Sequence, residues 1–162
     1  MRELLRDLYG HQEWADALHW TAFAAHPLAL QDPKLRERLH HIHLVQRAFL
    51  AVARRTGPPA KPRLEDFASV DELKAEARRT HEDARRFVEE AGDDALAARV
   101  SLPWFQDPPL EISLAQALHQ CAMHSHYHRG QNATRLKELG GSPPLSDLIV
   151  WWWKGRPPAL WP

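Results

Sequence analysis

The segment HSHYHRGQ carries histidines at positions 124, 126 and 128. On an α-helix each residue turns by about 100°, so His124 and His128 lie roughly 40° apart on one face while His126 points nearly the opposite way. The same stepping sets Leu114, Cys121 and Leu139 roughly 60–80° from His124, so the pair borders an apolar stripe instead of facing open water. A second run, His40-His41-Ile42-His43, separates in the same manner. His41 falls within roughly 40° of Val45 and Val52, whereas His40 and His43 lie well off that side. Ala48, two turns on, is small enough to leave room beside the His41 ring. Three inward imidazoles from two helices form a ligand set for one divalent ion, with ring nitrogens at about 2.0–2.1 Å and a position left for water or substrate. Such an ion can act as a Lewis acid, make hydroxide from bound water, or hold a substrate thiolate. The zinc-peptidase pattern HExxH is absent, because Ser125 follows His124 and Tyr127 precedes His128.

Four further residues are candidates for the pocket around such an ion. Glu13 and Asp16, on the first helical stretch, have the chemistry of a general base or of a partner that orients a ligand histidine. Tyr127 and Gln131 lie within a turn of the ligands; Tyr127 is equally suited to packing at a helix interface. Arg129 reads as half of a surface ion pair and Cys121 as a small core residue.

The elements that must position these residues follow from periodicity and punctuation. Leu4, Leu5, Leu8, Ala15, Leu18 and Ala22 mark a helix between Arg2 and Ala25, ended by Pro27. Asp32-Pro33 supplies an N-cap and a first-turn proline for a second helix through Leu35, Leu39, Ile42, Val45, Phe49 and Val52, which stops at Gly57-Pro58-Pro59. Ser69 and Glu72 fit a capping box for a third helix from Val70 to Gly92. Pro103, Pro108 and Pro109 around Trp104 and Phe105 predict an irregular crossover loop over 93–109, one able to cover a site. A fourth helix is predicted over about 111–139, closed by Gly140-Gly141, before the short apolar tail DLIVWWW. With no alternating segment long enough for a sheet, the expected fold is all-α. It is an antiparallel four-helix bundle with long crossover links and a short C-terminal segment, one domain over 1–162.

Composition narrows the function. The 162 residues hold 21 Lys+Arg against 21 Asp+Glu, a balance that argues against a nucleic-acid partner. No apolar run approaches the ~20 residues of a membrane span, and MRELLRDLYG lacks the plan of a signal peptide. One cysteine excludes an internal disulfide, so the cytoplasm is the expected compartment. With 44% hydrophobic residues the chain needs no metal merely to fold, which makes a metal site a functional one. Trp151, Trp152, Trp153 and Trp161 are expected to seal the bundle end or a homodimer interface.

HSHYHRGQNATRLKELGG resembles the last-helix signature of the DinB-like metal-binding four-helix proteins, a histidine, three residues, then a second histidine followed by Arg-Gly-Gln. LHHIHLVQRAFL is similar to their second-helix segment and YGHQEWADAL to their first-helix Tyr-Trp segment, so the resemblance covers nearly the whole chain. PLSDLIVWWW sits where members carry a short Asp-containing C-terminal segment. One departure is Met123, where many members have Asn before the first histidine. Carried over, the family's metal triad falls on His41, His124 and His128, with zinc or nickel as the implied ion. The wider group implies transferases that use a low-molecular-weight thiol, such as bacillithiol or mycothiol, on a small-molecule substrate. Against this stand two other readings, a hydrolase using metal-bound water and a non-catalytic, stress-related binding or dimerisation module.

Overall fold

The computed structural model describes residues 1–57 and 61–162; the expected stop at Gly57-Pro58-Pro59 lies partly outside them. Four long helices dominate, α1 (Arg2–Ala24), α2 (Pro33–Arg54), α3 (Val70–Glu90) and α5 (Leu114–Glu138), with short α4 (Asp93–Ala97) and α6 (Leu148–Trp153). Their starts are set by local chemistry. The Asp32 carboxylate accepts from the Leu35 N–H at 2.9 Å, ahead of Pro33. Ser69 Oγ accepts from the Glu72 N–H at 3.1 Å. Ser113 and Gln116 satisfy each other's orphan amides in a reciprocal capping box.

Each long helix packs against two others, α1 and α2 both lying between α3 and α5. The pairing is not antiparallel throughout. Asp32 with Arg135 and His41 with His124 make α2 and α5 antiparallel, and Arg6 with Glu89 and Asp16 with His81 do the same for α1 and α3. Tyr9 with Leu118 and His26 with Leu139 make α1 and α5 parallel, as Arg47 with Glu76 and Arg54 with Asp83 make α2 and α3. Two successive helices running the same way require the chain to travel back between them, which accounts for the long link after α2.

The predicted loop over 93–109 is instead α4 and the first strand of a hairpin. β1 (Arg99–Gln106) pairs antiparallel with β2 (Pro109–Ser113), Val100 opposite Ile112, with the register interrupted between Ser101 and Gln106. The predicted start of the fourth helix is corrected with it, since Glu111 to Ser113 belong to β2. A two-stranded sheet has only edges, so Pro103 and Pro109 are tolerated within its strands. Only Val100 and Leu102 of β1 face the core, which leaves too little alternation to read.

Two apolar clusters fill the interior. One gathers Leu5, Leu8, Phe49, Val88, Leu102 and Leu118; the other gathers Trp20, Phe23, Leu35, Leu39, Leu73 and Leu136. Between them every long helix also buries polar side chains: Asp16, His43 and Gln46, His81, and Ser125 and Arg129. Trp151 packs on Trp14 and Ala15, and a Cβ at Gly10 would make a tight 3.1 Å contact with the Trp151 ring. Trp161 joins the second cluster, so these two tryptophans seal the helices as expected, whereas Trp153 is 81% exposed.

Candidate metal centre

The facing sides of α2 and α5 bring His41, His124 and His128 together, with ring centroids 5.1, 4.7 and 4.5 Å apart. One ligand nitrogen from each lies within 4.8 Å of the others, and His41 Nε2 is 3.3 Å from His124 Nε2. Two nitrogens bound to one tetrahedral ion at about 2.0–2.1 Å would stand about 3.3–3.4 Å apart, so the spacing suits such an ion. The His128 Nδ1–H donates to Gln131 Oε1 at 2.8 Å, which leaves Nε2 with a free lone pair. Arg38 in turn donates to the Gln131 carbonyl at 3.3 Å. Burial, then the neighbouring His128 and His41, lower His124 to about 4, and burial and His128 also lower His41. These two rings are therefore neutral and able to ligate at neutral pH. The three donors fit a divalent ion.

A second group, Asp16, His43 and His81, also brings its ligand atoms within 4.8 Å, but it is fully buried. The Trp20 indole N–H donates to His43 Nε2 at 3.2 Å, so His43 carries its proton on Nδ1 and donates to Gln46 Oε1 at 2.9 Å. Gln46 Nε2 donates to Asp16 Oδ2 at 2.9 Å and to Ser125 Oγ at 3.2 Å. His81 Nε2–H and Arg129 complete the ring with bonds of 2.7 and 3.0 Å to the Asp16 carboxylate. Burial alone would raise the Asp16 carboxyl, but Arg129 and His81 hold it well below the usual range; burial lowers His43 to about 4. With the His43 lone pair taken and a guanidinium already on Asp16, this group is a closed hydrogen-bond network poorly suited to a cation.

A sequence profile of the DinB superfamily matches residues 15–132, most of the chain. The protein belongs to the DinB superfamily. No curated protein matches it. In this DinB-superfamily chain the helical phases of His41, His124 and His128 bring these three together, with Gln131 and Tyr127 beside them and Glu13 and Asp16 elsewhere. Asp16 is the centre of the buried network, and Glu13 pairs with Arg85 at 3.4 Å. Gln131 bonds to His128, and Tyr127, 63% exposed, sets its ring edge-on to His128 at 5.1 Å.

Two readings of the sequence are corrected by burial. Arg129 forms no surface pair, being 4% exposed and paired with Asp16 across α1 and α5. His43 lies off the His41 face but is 2% exposed, because α2 packs on both α3 and α5 and so buries two faces. His126 is exposed, and His40 bonds to the Pro62 carbonyl at 2.9 Å. Cys121 is a core residue whose thiol is pushed up to about 12 by burial, so it is no nucleophile. A periodic signal for the network was present: Leu114, Leu118, Cys121, Ser125, Arg129, Asn132 and Leu136 form one three-and-four stripe, as do Ala77, His81, Ala84 and Val88. The polar members were legible as buried by phase alone.

Proposed function

We propose that His41, His124 and His128 hold one zinc or nickel ion in the groove between α2 and α5 of a four-helix bundle, and that the site activates a low-molecular-weight thiol for transfer to a small-molecule electrophile. The carrying observation is the convergence of three half-buried imidazoles, with His41 and His124 meeting each other through their Nε2 atoms. A bound divalent ion supplies Lewis acidity that favours thiolate over thiol near neutral pH. The protein's part is to hold the donors ready: Gln131 fixes the His128 tautomer, and burial keeps His41 and His124 unprotonated. A thiol nucleophile needs no protein base, and among the described residues no carboxylate belongs to this group. Hydrolysis is the second reading. Glu37, one turn before His41 and close enough to bear on its titration, is the acid it would use as base.

The reading takes residues 1–162 as one cytoplasmic domain that pairs with a second copy; Leu145, Ile149, Trp153 and Leu160, all exposed on the C-terminal segment, support that pairing. Among the described residues no helix is long and apolar enough to cross a membrane.

The test is cobalt loading of a Cys121→Ala variant purified without a histidine tag. Titration with cysteine or glutathione should raise a near-ultraviolet sulfur-to-cobalt band, and His124→Ala should abolish it. Stoichiometric cobalt with no band would end the thiol reading and favour hydrolysis, in which case Glu37→Gln should remove esterase activity.

A further inference from the structure

A cavity of about 580 Å³ lies between α2, the hairpin and α5. Val45, Ala48 and Phe49 form one wall, Leu102 and Trp104 of the hairpin form another, and His124 of the triad closes one end. Among the described residues its only other polar side chains are Gln116 and Gln120, and no charged side chain lines it. The volume is that of a small-molecule site, within roughly 300–1,000 Å³. Trp104 meets Phe49 edge-on with centroids 5.1 Å apart and is 42% exposed, and Phe105 is 50% exposed. Large aromatics are spread along the hairpin around a concavity when they could have been packed into the core.

We propose that this cavity binds an uncharged, largely apolar small molecule with one end against His124. Its role as the substrate rests on the metal-site reading above; its binding does not. The charge class follows from the lining. An ionised ligand would lose its hydration against Val45, Phe49, Leu102 and Trp104 with no opposite charge to compensate, whereas a neutral amide or carbonyl can use Gln116, Gln120 or His124. A small molecule is favoured over a protein partner because the lining encloses the space on three sides and runs into the histidine triad.

The experiment compares naphthalene-2-carboxamide with naphthalene-2-carboxylate, nearly equal in size and different in charge, by calorimetry on chelator-treated protein, so that no metal can recruit the carboxylate. The carboxamide should bind at least tenfold tighter than the carboxylate. Ala48→Leu, which fills the cavity from the α2 wall, should weaken it at least tenfold, and Trp104→Ala severalfold. His126→Ala, exposed and outside the lining, should leave it within twofold. Equal binding of the two probes, no binding of either, or an Ala48→Leu variant that binds normally would overturn the proposal. So would a dimer that Trp104→Ala disperses while the carboxamide fails to bind, because the face would then be a contact between copies. If the protein takes up no metal yet binds the carboxamide, the triad reading fails and the cavity stands; the reverse result removes the cavity alone.

Discussion

Two groups of three ligand-type side chains lie in the middle stretch of the helices, and they behave oppositely. Around Asp16, His43 and His81 the carboxylate accepts from Gln46, His81 and Arg129, both His43 nitrogens are bonded, to Trp20 and to Gln46, and the group is sealed by burial. Around His41, His124 and His128 one proton goes to Gln131, His124 Nδ1 finds no partner among the described residues, and the rings are only half buried. Convergence of ligand atoms is common to both. What separates a structural cluster from a site is whether the lone pairs are already used.

The largest break in this comparison is expected from Asp16→Ala. It leaves Arg129 and His81 buried without their acceptor, and removing one partner of a buried pair costs about 3–5 kcal/mol, readable in urea unfolding. The protein should still bind metal where it remains folded. A loss under about 1 kcal/mol would mean that the network is not the closed unit described here.

Acid should act next, and on both groups, since burial holds His124 as well as His43 near 4. His43, and outside both groups His19, whose Nε2 lies 3.1 Å from Ser146 Oγ, are held near 4 by burial, below the ordinary 6.5. Above pH 6.5 each ring is neutral whether folded or unfolded, so neither affects stability. Between about 6.5 and 4 the unfolded chain takes up protons that the native state refuses, so stability falls with pH, by roughly 3 kcal/mol per ring at the limit. His43→Gln should flatten part of that slope, and unchanged stability from pH 7 to 5 would contradict the burial assignments.

Substitution of the open group should move metal affinity and leave stability nearly untouched. His41→Ala, His124→Ala and His128→Ala should each lower zinc affinity at least hundredfold, equivalent to about 2.7 kcal/mol. His126→Ala and His40→Ala should leave it unchanged, and His43→Ala should cost stability without costing affinity. Competition with a chromogenic chelator measures all six. The smallest effect is expected at Gln131→Ala, which frees the His128 tautomer and should weaken binding about tenfold without removing it. A full loss there would make Gln131 part of the ligand set.

The triad was legible because it rests on one local rule. An i, i+4 spacing puts His124 and His128 on one helical face whatever surrounds the helix, and the phase of His41 against Val45 and Val52 gives the third. The caps at Asp32 and Ser69 are equally local. The hairpin was not, because a strand with two core-facing residues and a proline lacks a period long enough to register.

The sequence by itself thus determined the long helices and the shared face of His124 and His128, each a property of a few neighbouring residues. Only the tertiary structure decided that α1 runs parallel to α5, that α2 hides two faces, that Asp16 meets an arginine 113 positions away, and that the hairpin leaves a cavity against His124. Helical phase gives a side chain's direction about its own axis; whether that direction meets solvent, a partner or an open space depends on which helix lies across from it.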